Sequence, residues 1–174
     1  MAKNCLNKLS GNITVDCAIP QVGVKEIYLM HAEDVTFTYY SDGLLSAVVF
    51  AENTKSYKIE GYKQNIQVTS SLKTTDASAR VDQSVTFKVP YNYSNRPFIN
   101  TLASGRFCVL AVFNDGDYTL IGDNSPLECT SADFDSNANA RMVTITLASP
   151  ESSAGNQLRS VPGQVATTII SKSV

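Results

Sequence analysis

The sequence predicts a mainly β (α+β) domain, a β-sandwich or open barrel with one short flanking helix and extended terminal arms. Three observations carry that expectation. Residues 81–89 alternate strictly, with Val81, Val85, Phe87 and Val89 on one face and Asp82, Ser84, Thr86 and Lys88 on the other. Such a period of two belongs to a half-buried strand. Residues 107–113 form a continuous apolar run, closed by Asn114-Asp115-Gly116 and answered by Tyr118, Leu120 and Ile121, which reads as a hairpin. Only one segment, 95–104, has convincing helical spacing.

Taken in order, 24–30 opens the regular part and 35–39 follows, with Val35, Phe37 and Tyr39 on one face. Ser41-Asp42-Gly43 supplies the positive-φ position of a tight turn before apolar residues 44–50. Residues 57–59 and 66–72 read as further strands. In 95–104, Ser94 or Asn95 can cap, Pro97 is tolerated in the first turn, and Gly105 suits a left-handed stop. Phe98, Ile99, Leu102 and Ala103 make its apolar stripe. The last alternating strand is 141–147. Residues 130–140, rich in Ser, Asp, Asn and Ala, read as a long loop, and 165–170 as a terminal β-run. The expected division is an N-terminal arm over 1–23, a core domain over 24–148 and a C-terminal arm over 149–174, both arms lying on other subunits.

The chain has 174 residues, enough for one core and few for two. With 43% hydrophobic residues it is expected to fold, and a net charge of −2 gives no global pull toward nucleic acid or an anionic membrane. No apolar run approaches the roughly 20 residues that span a bilayer. The opening Met1-Ala2-Lys3-Asn4-Cys5-Leu6-Asn7-Lys8 lacks the apolar stretch of a secretory leader. Cys5, Cys17, Cys108 and Cys129 form no C-x-x-C pair, so reduced thiols are expected, with Cys108 as a small buried hydrophobe.

The search for chemistry yields no assigned residue: catalytic, cofactor-binding and metal positions are all expected to be none. His31, the single histidine, sits beside Glu33 and Asp34, but one imidazole without partners makes neither a triad nor a zinc site. Asp115, Asp117 and Asp123 lack the spacing and terminal Glu of an EF-hand, and a hairpin turn accounts for Asp115-Gly116. The tyrosines at 28, 39, 40, 57, 62, 91, 93 and 118 suit subunit interfaces, where an apolar ring with a polar tip is useful.

Three blocks carry a family resemblance: Val22-Gly23-Val24-Lys25-Glu26-Ile27-Tyr28-Leu29, then residues 105–122, then Ala140-Arg141-Met142-Val143-Thr144-Ile145-Thr146-Leu147 ahead of a Pro/Glu/Ser tail. Over roughly residues 20 to 150 the chain resembles tail-tube-like and tail-ring virion proteins of bacteriophages that infect Bacteroides-type gut bacteria, including the crAss-like group. The resemblance implies a non-enzymatic protein of the virion tail, assembled in the host cytoplasm, with no cofactor. It implies a homo-oligomeric ring, six- or twelve-fold, stacked into a tube or serving as a portal–tail connector through which DNA passes. Neighbours would be the portal and other tail or ring proteins, with no sequence-specific nucleic-acid binding and no membrane. Two readings stand against it. One is a monomeric receptor- or glycan-binding β-sandwich module on a virion surface; the other is a virion-borne hydrolase.

Overall fold

The structure, a computed structural model, describes residues 23–61, 65–75, 78–137, 141–150 and 159–174. The expected N-terminal arm therefore lies, except for Gly23, outside the described residues. The strands are β1 (Val24–His31), β2 (Val35–Tyr39), β3 (Leu45–Phe50), β4 (Tyr57–Glu60), β5 (Gln67–Thr75), β6 (Ser78–Pro90), β7 (Arg106–Phe113), β8 (Tyr118–Ile121), β9 (Leu127–Phe134), β10 (Met142–Ala148) and β11 (Arg159–Ser160). The helices are α1 (Arg96–Leu102) and α2 (Gly163–Ser171), with one 3-10 turn at Ala32–Asp34. The mainly β expectation holds.

A nine-stranded antiparallel sheet runs β11-β8-β7-β9-β10-β6-β5, with β1 on the other side of β7 and β4 outside β1. The hairpin β2–β3 forms a separate two-stranded sheet. Strand β7 turns the corner of the large sheet. Val109–Val112 pair with β8, whereas Arg106 and Phe107 pair with Glu128 and Leu127 of β9. One half, β4-β1-β7-β8-β11, thus faces the other half, β9-β10-β6-β5, as a sandwich folded from one sheet.

The central half is buried on both faces. Ile27 and Leu29 of β1, Phe107, Val109 and Ala111 of β7, and Ile121 of β8 pack with Val85, Phe87, Val89, Val143, Ile145 and Leu147. Their neighbours in sequence, Tyr28, Met30, Cys108, Leu110, Val112 and Leu120, point the other way, toward Val35, Leu45 and Val48 of the hairpin and Val165, Ala166 and Ile169 of α2. A strand covered on both sides needs apolar residues at every position, which is why 107–113 reads as a run and 81–89 as an alternation. Gln83 is the exception on the inner face of β6. It is 3% exposed, and its Oε1 accepts the Gly122 N–H at 3.1 Å.

Three expectations are corrected. First, residues 163–171 are a helix, not a β-run, and 159–174 lie on their own chain rather than forming an arm on another subunit. Val165 and Ile169, Ala166 and Ile170, are each four apart, so one helical face covers the second core cluster. Packing of that face overrides the β preference of Val, Thr and Ile. Buried Ser56 receives the helix end: its Oγ–H donates to the Ile169 carbonyl at 2.8 Å, beside the Lys172 N–H, and its own N–H donates to the Lys172 carbonyl at 3.2 Å. Second, the expected 130–140 loop begins as strand, because β9 continues to Phe134 against β10. Third, Gly105 does not end α1 in a left-handed conformation; among the described residues the positive-φ glycines are Gly23, Gly43, Gly116 and Gly122. Its lack of a side chain serves close packing instead, since a Cβ there would sit 2.4 Å from the Phe107 ring.

Candidate functional site: open sheet edges and an exposed aromatic pair

The residues weighed for chemistry are dispersed. His31 ends β1, its ring tilted against Phe107 at 5.0 Å between centroids and edge-on to Tyr57 at 6.1 Å. It borders an open polar cleft of about 550 Å³ that also includes Glu33, Asp34, Ser104, Arg106 and Glu128. No group of three His, Cys, Asp or Glu among the described residues could hold a metal ion. Asp115 caps the β7–β8 turn, its Oδ1 accepting the Asp117 N–H at 3.1 Å, while Gly116 takes φ +94°. No helix among the described residues is long and apolar enough to cross a membrane.

Asp123 does something the sequence did not reveal. Its side chain is 2% exposed and meets Arg159 Nε as an ion pair rather than a straight hydrogen bond. The Tyr39 hydroxyl donates to the same carboxylate oxygen at 2.8 Å, the guanidinium lies 4.4 Å from the Tyr39 ring centroid, and Arg159 Nη1 donates to the Gly43 carbonyl at 2.7 Å. The cluster joins β2, the β2–β3 turn, the segment after β8 and β11, so it fastens the C-terminal segment. Nothing in the order of these residues along the chain announces that meeting. Burial, and then the Asp123 carboxylate, push the Tyr39 hydroxyl well above its usual range.

Two other buried groups shift upward. Burial raises the Cys108 thiol from 9.0 to about 12, and burial with the Glu26 carboxylate raises Tyr28 from 10.0 to about 12. Tyr28 donates to Glu26 Oε1 at 2.9 Å. A folded-state value above the unfolded one favours the neutral form, so the contribution to stability is complete below the unfolded value and is lost as pH rises toward the folded one. Denaturant titration should therefore show stability falling between about pH 9 and 12, with Tyr28→Phe reducing the part above pH 10. A curve flat over that window in the native chain contradicts the assignment.

The features left over for function lie on the outer half of the sandwich. In β9-β10-β6-β5, β5 is a terminal strand of nine residues, with neither a proline nor a bulge in its ladder with β6. Lys73 is its one charged residue and is paired with Asp82 at 2.6 Å. At the other side β9 pairs with β7 only through Leu127 and Glu128, and no described strand covers 130–134 beyond them. Other strand ends are protected by shortness or charge. β11 has two residues; β4 has four, with Lys58 bridging Glu60 at 2.9 Å and Glu26 at 3.0 Å. A long edge with few charges is a template for another strand.

Exposed large side chains gather near the β9 edge. Phe134 packs against Tyr91 with tilted rings, their centroids 4.8 Å apart, and Tyr93, two residues on from Tyr91, stands almost wholly in solvent. Beside them an open groove of about 690 Å³ is formed by Pro90, Tyr91, Arg141 and Met142 with Lys88 and Glu60. Arg141 holds φ +63°, a left-handed conformation costly for a residue with a side chain. Tyr28 and Tyr39, by contrast, serve the fold.

Compared with known proteins, the chain matches no family model, no curated protein and no solved structure.

Proposed function

We propose that the chain is a non-enzymatic structural subunit that joins copies of itself head to tail into a ring or tube, in the manner implied by its resemblance to phage tail-tube-like proteins. One observation carries the reading: among the described residues no strand lies beyond β5, or beyond β9 past Glu128, and those two edges run in opposite directions. β9 is antiparallel to β10, β10 to β6 and β6 to β5, so β5 and β9 point oppositely. A neighbour's β9 placed beside β5 by rotation about a ring axis continues the alternation. Heterologous contacts of this kind close into rings when the rotation permits and otherwise grow as filaments. Assembly also covers the free part of β9 and part of the β5 edge.

The solvent face of the same half-sheet suits a channel lining. It carries Thr86 and Thr146, whose hydroxyls lie 3.3 Å apart, and Thr69 and Ser84, at 2.6 Å. Its Lys73 and Arg80 are both paired with Asp82. A hydroxyl face with paired charges does not present the dense row of cations that grips a phosphate backbone. On this reading the localisation is the virion tail, and the neighbours are the portal and other ring proteins.

Sedimentation across a range of concentrations tests the reading. The expected result is a discrete ring or a growing series of oligomers. A single species of 18.8 kDa at every concentration contradicts it and favours a monomeric binding module that uses the groove of Tyr91, Arg141 and Met142.

A further inference from the structure

Leu72 and Phe134 are exposed in an unusual way. Leu72 pairs across the ladder with Val81, and Phe134 with Val143. Directly paired residues share a face, and Val81 and Val143 are 4% and 3% exposed. Both large apolar side chains therefore point to the core side of the half-sheet. They remain 52% and 49% exposed, each on an edge with no described strand beyond it. What they lack among the described residues is a neighbouring strand.

Resting on the head-to-tail reading above, we propose that β5 of one copy pairs antiparallel with β9 of the next, in the register that sets Leu72 opposite Phe134 and Lys73 opposite Asp133. Side chains select this register. A slip of one residue turns each apolar group to the wrong face. A slip of two keeps the faces but sets Leu72 against Ala132 or Ser136, and Lys73 against Ser131 or Asp135. Only the proposed register matches the two exposed apolar groups and also brings opposite charges together on the solvent face. Asp133, paired in its ladder with Thr144, lies on that face beside Lys73 of the next copy and becomes its second carboxylate after Asp82. Phe134 is prepared for the contact, since the Tyr91 ring already packs against it at 4.8 Å between centroids. Cross-strand pairs of this sort strengthen an edge-to-edge joint and fix its alignment.

The test uses the full chain in two single variants, Leu72→Cys and Phe134→Cys, whose half-exposed sites leave the fold intact, as melting curves verify. Directly opposed Cα atoms in an antiparallel pair lie about 4.5–5.5 Å apart, within disulfide reach. Mixed and oxidised, the two variants should give a covalent dimer whose link maps by mass spectrometry to positions 72 and 134; neither variant alone should do so. In parallel, Asp133→Lys should weaken association several-fold, and less so at high salt, because a lysine then faces Lys73. If the native chain associates while the mixture links 72 to 72, or forms no 72–134 link, the proposed register is overturned and the assembly reading stands. A native chain that never associates removes both.

Discussion

Removing residues 159–174 should leave a chain that no longer unfolds cooperatively. Val161, Val165 and Ile169 are buried and belong to the second core cluster with Ala166. Burying a side chain of this size stabilises by about 1.5–3 kcal/mol, so three contribute roughly 5–9 kcal/mol. That is comparable to the whole stability of a domain, about 5–15 kcal/mol. The truncation also leaves Asp123 buried without Arg159, a loss of about 3–5 kcal/mol where a buried pair is broken by removing one partner. Ser56, wholly buried, loses its bonds to Ile169 and Lys172. Thermal melting monitored by near-ultraviolet circular dichroism checks this. A sharp transition at a melting temperature near that of the full chain would show that the C-terminal segment is an accessory and not part of the core.

The second large effect is expected at Leu110, wholly buried in the middle of β7 with its side chain in the cluster that α2 covers. Both faces of β7 are packed, so the strand cannot shift to close the gap. Leu110→Ala should cost about 2–5 kcal/mol, through lost transfer energy and the cavity left behind. Ser136→Ala, at an exposed turn after β9, should change stability by no more than about 0.5 kcal/mol. Denaturant midpoints for the two variants measure the contrast, and similar losses for both would place the core elsewhere.

The legibility of these elements followed from how each is buried. Residues 107–113 and 81–89 could be read because burial on two faces and on one face write different patterns into a strand. The 3.6-residue spacing around Phe98 and Leu102 marked α1 for the same reason. β9 escaped because an edge strand with a polar outer face needs few apolar residues; Ser131, Asp133 and Asp135 look like loop chemistry. α2 escaped because Val165, Thr167, Thr168, Ile169 and Ile170 favour strands locally, and only the surface they cover makes a helix of them. The Tyr39–Asp123–Arg159 cluster depends on three segments far apart in the chain, which no local pattern records. The candidate assembly surface was foreshadowed only by the tyrosines assigned to interfaces. Of these, Tyr91 and Tyr93 are exposed, whereas Tyr28 and Tyr39 turned out to hold the fold together.

Glu26, Lys58 and Glu60 show why charge on an edge matters for the same question. Glu60, and then Glu26, hold the Lys58 ammonium well above its usual range, so β4 presents a compact ionic network at its border. At the β5 edge Lys73 and Arg80 share Asp82 in a similar cluster. The two edges differ in length, four residues in β4 against nine in β5, and the longer is the side where another strand adds.

Imaging the purified chain at high concentration by electron microscopy tests the central claim most directly. Closed rings with a central opening, or tubes of stacked rings, are the expected particles. Isolated particles of 18.8 kDa, with no rings or filaments at any concentration, would contradict it.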